Sequence, residues 1–97
     1  MPSTKEYLSF ILEQLSYLDG ITYRAMMGEY IIYYRGKITG GIYDDRFLVK
    51  PTASALKKCP EASFEIPYPN AKPMLLVDNV DDKTFLQELF DGIYNDL

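Results

Sequence analysis

Histidine and tryptophan are missing from this 97-residue chain, and cysteine occurs once. Without an imidazole there is no serine–histidine or cysteine–histidine nucleophile pair, and no metal site that depends on a histidine ligand. Cys59, standing alone, cannot close an internal disulfide and has no thiol companion for a zinc site, so a reducing cytoplasm suits the chain best. No run of about 18 apolar residues occurs, and the opening MPSTKEYLSFILEQL has no cationic segment leading into an uninterrupted apolar one. Neither secretion nor a membrane partner is therefore expected. Basic residues are too few as well: 10 Lys and Arg stand against 14 Asp and Glu, for a net charge of −4. With a pI of about 4.6, direct nucleic-acid binding is not expected, because neutralising several phosphates needs a basic surface. Phosphate loops, dinucleotide fingerprints, serine-hydrolase elbows and EF-hand spacings are all missing. The expectation is a protein that is not an enzyme, with no catalytic residue, metal or cofactor.

What the chain does have is an ordinary globular composition, 47% apolar and 25% charged, over residues 1–97. That is one domain with one core. A chain of this length buries only about two-thirds of its unfolded surface, so self-association would help it. Its nine tyrosines supply amphipathic aromatic surface, suited to sheet faces and to wet interfaces.

The organising stretch is Arg24 to Thr52. Tyr30 to Tyr34 reads as a strand, Arg35-Gly36 as a turn, Lys37 to Tyr43 as the return, Asp44-Asp45 as a second turn, and Arg46 to Lys50 as a third strand. Ile21 to Ala25 predicts a further short strand, with Gly28 allowing a bend or a bulge before the meander. Strict alternation sends Ile38, Gly40 and Ile42 to one face and Thr39, Gly41 and Tyr43 to the other. Gly40-Gly41 in mid-strand predicts a bulge, a twist or the close approach of another element.

Helices flank this sheet. Ser3-Thr4-Lys5-Glu6 has the form of a capping box, and the apolar stripe behind it predicts a helix over Thr4–Leu18, stopped at Asp19-Gly20. Ser54–Lys58 reads as a short helix ended by Pro60. Glu61–Lys72, rich in proline, reads as an extended loop, and Pro73–Val77 as an interior strand. Phe85, Leu86, Leu89, Phe90 and Ile93 mark a closing helix with cap candidates between Asp78 and Asp82. The predicted fold is α+β, a two-layer α/β sandwich, with an antiparallel sheet of about five strands and its helices on one face.

Two groups of side chains are candidates for function. Tyr30, Tyr33, Tyr34, Tyr43 and Tyr68 are candidates for an interaction surface made of the sheet face and the loop from Phe64 to Pro73, and a homodimer built on the sheet is expected, with a regulatory protein as a further partner. Arg24, Glu29, Asp44, Lys50 and Lys72 form the alternative, a site for a small ligand or anion or a rudimentary enzyme. Each has a plainer explanation: tyrosines cover half-exposed sheets, Asp-Asp makes a turn, and Lys or Arg pairs with carboxylates at the surface.

A series of motifs in order, Arg24-x-Met26-Met27-Gly28-Glu29-Tyr30, Ile32-Tyr33-Tyr34-x-Gly36-Lys37, Gly41-x-x-Asp44-Asp45-Arg46, Leu48-Val49-Lys50-Pro51-Thr52 and Pro67-Tyr68-Pro69-x-Ala71-Lys72-Pro73, resembles the N-terminal domain of the TfoX/Sxy competence regulators. The resemblance implies an α/β domain similar in architecture to the type III secretion chaperones, in bacterial cytoplasmic proteins linked to the regulation of competence genes. Longer members carry a second, C-terminal domain; a chain ending at Leu97 is expected to be a stand-alone form of the first.

Overall fold

Three two-residue turns set the architecture. A computed structural model, which describes residues 3–97, gives positive φ at both positions of Met27-Gly28 (52°, 85°), Arg35-Gly36 (52°, 84°) and Asp44-Asp45 (55°, 55°). This is the type I′ geometry, whose twist matches that of the flanking strands. The turns join β1 (Ile21–Met26), β2 (Glu29–Tyr34), β3 (Lys37–Tyr43) and β4 (Arg46–Val49) into a four-stranded antiparallel meander. The bend or bulge expected at Gly28 is thus a hairpin turn, and β1 pairs with β2 along its whole length.

Two more strands extend the sheet. β5 (Phe64–Glu65) and β6 (Met74–Leu76) add to it in the order β1-β2-β3-β4-β6-β5, all pairs antiparallel. β6 is the interior strand expected around Pro73–Val77. β5 makes the sheet six-stranded, because two residues of the expected loop pair with Leu75 and Met74.

Among the described residues, three helices cover one face. α1 (Lys5–Gln14) is capped by Thr4, whose Oγ accepts from the Tyr7 N–H. It ends four residues before Leu18, with Leu15 and Leu18 still buried below the turn. Ser3, the expected cap, bonds elsewhere: its N–H donates to the Gly28 carbonyl and its hydroxyl to Glu29. α2 (Ala53–Lys58) is capped by Thr52, and α3 (Lys83–Asp96) by Asp82. Leu8, Ile11 and Leu15 of the α1 region, Ala55 of α2, and Leu86, Leu89, Phe90 and Ile93 of α3 meet Ile32, Tyr34, Ile42, Phe47, Val49 and Leu75 in one cluster. The expected sandwich is therefore the observed one.

Strict alternation fails once, in β3. The register runs Tyr30↔Ile42, Ile31↔Gly41, Ile32↔Gly40, then shifts so that Tyr33 pairs with Ile38. Thr39 is the extra residue of a β-bulge. It is fully buried; its hydroxyl donates to the Ile32 carbonyl, and its own carbonyl accepts from the Lys50 N–H. Ile38 consequently lies on the face opposite Ile42, together with Tyr33, Gly41 and Tyr43. Gly40 explains why the strand tolerates this packing: a Cβ there would sit 2.3 Å from the Leu48 carbonyl oxygen.

Candidate functional site

Among the described residues, only a loop lies over the face turned away from the helices. Its residues, by register, are Thr22, Arg24 and Met26 of β1, Ile31 and Tyr33 of β2, Ile38, Gly41 and Tyr43 of β3, and Arg46 and Leu48 of β4. Residues 66–73 leave β5 and cross part of this face before entering β6. Arg46 holds the start of that crossing. Its guanidinium forms an ion pair with Glu65 at 2.9 Å, reaches the Ile66 carbonyl at 3.4 Å, and donates through Nε to the Tyr43 carbonyl at 3.1 Å. Tyr68 comes down on Tyr43, ring centroids 6.1 Å apart. The missing side chain at Gly41 makes this possible, since a Cβ there would lie 2.6 Å from the Tyr43 ring.

Between loop and sheet is a groove of about 550 Å³, floored by Met26, Ile31, Ile38 and Met74 and walled by Tyr43, Tyr68 and the prolines at 51, 67 and 73. Among the described residues that line it, the charged ones are Lys50 and Lys72. Apolar floor, aromatic wall and two ammonium groups make a surface for an apolar group that carries negative charge. Tyr43 is 6% exposed; burial, then the neighbouring Tyr68, Glu29 and Tyr33, push its phenol above the usual 10. At neutral pH it therefore stays a neutral hydrogen-bonding group.

The candidate residues divide between this groove and other places. Tyr43, Lys50, Tyr68 and Lys72 line it. Tyr33 and Arg24 share its sheet face without lining it. Tyr34 does not belong to the interaction surface: it is 1% exposed on the helix face, beside Phe90 and Tyr94, and donates to Asp91 at 2.6 Å. Tyr30 also faces the helix layer, half-buried, edge-on to Tyr23 at 5.9 Å. Glu29 accepts from Ser3 and from the Asp44 N–H at 2.7 Å. With Asp45, which accepts from the Thr4 N–H at 2.8 Å, it ties the start of α1 to two hairpins. The five-residue ion-binding group thus separates: its two lysines go to the groove, Glu29 goes to this junction, where it accepts from the Asp44 backbone, and Arg24 stays on the sheet face.

Sequence reasoning missed the apolar floor. Met26 and Met27 are surface residues, one in the groove and the other 96% exposed at a turn tip. Ile38 reaches the floor only through the bulge, for which Gly40-Gly41 was the available signal.

Residues 13–90 match the TfoX N-terminal domain. The chain belongs to that family. An uncharacterised 12.7 kDa protein from the trpE 5′ region of Spirochaeta aurantia is 30% identical over 80 residues, which are 82% of this chain and 70% of the relative. No solved structure gives a significant match. The match takes in the meander, the groove and most of α3, so the groove belongs to the part of the chain that defines the family. Among the described residues, no three His, Cys, Asp or Glu side chains gather where a metal could bind, and no helix is long and apolar enough to cross a membrane. Burial pushes the Cys59 thiol up from its ordinary range.

Proposed function

We propose that this TfoX N-terminal domain is a non-enzymatic regulatory module of the bacterial cytoplasm, related to competence regulators, which acts by binding an extended acidic-apolar segment of a partner protein. The observation that carries this reading is the groove: in a chain of net charge −4, its charged lining is Lys50 and Lys72 beside an apolar floor. Charge complementarity of this kind selects partners and speeds encounter. The same charge balance makes duplex DNA a poor ligand.

The volume also suits a small molecule, since such sites commonly enclose roughly 300–1,000 Å³. This is the second reading, an apolar carboxylate held by the same lysines. An array of nonapeptides, screened against the wild type and a Lys50→Glu, Lys72→Glu double variant, tests the first. Selected peptides should combine apolar residues with Asp or Glu and lose at least tenfold in affinity for the double variant, about 1.4 kcal/mol. Peptides that bind both proteins equally would remove the groove as the site. If no peptide binds while small aromatic or aliphatic carboxylates raise the melting temperature, the second reading replaces the first.

A further inference from the structure

The two edges of the sheet are unlike. β5 is two residues long and is followed at once by proline-rich loop, a common way to blunt an edge. β1, at the other end, is six residues long, Ile-Thr-Tyr-Arg-Ala-Met, with no proline, no lysine and no register shift, and five of the six are exposed. Its backbone is half used. The Met27-Gly28 turn makes Met26 and Glu29 a mutually bonded pair, and at the far end the Arg35 N–H donates to the Gly20 carbonyl at 2.9 Å. Even-numbered residues therefore bond to β2, while Ile21, Tyr23 and Ala25 turn their N–H and C=O groups outward.

We propose that β1 pairs antiparallel with β1 of a second copy about a two-fold axis through Tyr23. An axis perpendicular to the sheet keeps the helices of both copies on one side, so each residue meets a partner of the same face. Two centres leave most of the strand paired, Tyr23 and Arg24. The second sets Arg24 against its own copy, where like charges repel. Centring on Tyr23 sets Thr22 against Arg24 and Ile21 against Ala25, and brings the three outward-turned residues into one hydrogen-bonded ladder. A separate observation favours the same occupant. Beside this edge, on the helix side, is an apolar notch of about 490 Å³, lined by Leu12, Leu15, Leu18, Ile21 and the 49%-exposed Tyr23. A second β1 in this register lays its own Tyr23 and Ala25 along the notch. This dimer leaves Tyr33, Tyr43 and all of the groove except Met26, at the end of β1, outside the interface.

The test is solution mass by light scattering across the micromolar range, on wild type, Ala25→Pro and Tyr23→Lys. The wild type should give twice 11.2 kDa. Ala25→Pro deletes one outward N–H without touching the ladder to β2, and should weaken the dimer at least tenfold with the circular dichroism unchanged; if it fails to fold, Tyr23→Lys decides. In a Cys59→Ser background, Tyr23→Cys should form a covalent dimer under oxidised glutathione, and Met27→Cys should not. A wild type that stays monomeric throughout overturns the proposal. So does a dimer that survives a folded Ala25→Pro and Tyr23→Lys, or one that crosslinks through residue 27 and not 23. Peptide binding at the groove is read separately on the same variants, so either proposal can fail alone.

Discussion

The two faces of this sheet are made by alternate residues of the same strands, yet they end in different states. On the helix face Ile32, Ile42, Phe47 and Val49 are fully buried beneath three helices. On the other, Leu48 is fully buried, but Ile38 remains 38% exposed and a groove stays open. The difference lies in what each face is given to pack against. Helices supply continuous apolar stripes, whereas residues 66–73 are an irregular segment tied down mainly by Arg46 and the Tyr43–Tyr68 contact. In a chain this small, one face holds the fold together, while the other keeps surplus apolar surface partly exposed.

If that division is right, substitutions on the helix face should act on stability and those on the loop-covered face on binding. The largest effect is expected from Leu89→Ala, which empties a fully buried site and should cost about 2–5 kcal/mol in chemical denaturation; a loss below about 0.5 kcal/mol would remove α3 from the core. Gly40→Ala should follow, at about 1–3 kcal/mol, because its Cβ would meet backbone of β4 rather than a movable side chain.

Tyr34→Phe comes third. Losing the bond to Asp91 should cost roughly 1–3 kcal/mol near neutrality. Burial, then the hydrogen bond and charge of Asp91, hold this phenol above its ordinary pKa of 10 in the folded chain. The unfolded chain therefore loses its proton first, and the Tyr34 contribution is complete below about pH 10 and falls as pH rises through the folded value. The wild type should accordingly lose stability more steeply than Tyr34→Phe in alkaline titrations followed by melting temperature; parallel curves would remove Tyr34 as a cause.

Arg46→Ala should have the smallest effect on global stability, about 0–1 kcal/mol for a partly exposed ion pair, while speeding amide exchange in residues 66–73. Unchanged exchange there would mean that something other than Arg46 holds the loop. Ile38→Ala sharpens the contrast from the same side: about 1 kcal/mol or less in stability, with a clear loss of peptide binding. A large stability loss with binding intact would reverse the roles of the two faces.

Much of this was legible locally. Turns at Arg35-Gly36 and Asp44-Asp45 declare themselves because few residue pairs accept positive φ, and the stripe from Phe85 to Ile93 declares a helix because only a 3.6-residue period gathers it on one face. Tyr34 was misplaced because adjacent tyrosines look alike in a strand, and burial depends on which face the helices choose. Glu29 looked like a ligand group, since a carboxylate that ties two hairpins together is chemically no different from one that binds an ion.

The sequence by itself determined the meander, the flanking helices, the absence of imidazole chemistry and the family, because turn geometry, periodicity and composition act over a few residues at a time. Tertiary structure decided the rest. The Thr39 bulge carries Ile38 across the sheet only because the Ile32 carbonyl and the Lys50 N–H are there to satisfy the extra residue. The groove exists only because segments some twenty residues apart, β3 with its glycines and the loop behind Arg46, are folded against each other, and no local pattern encodes that meeting.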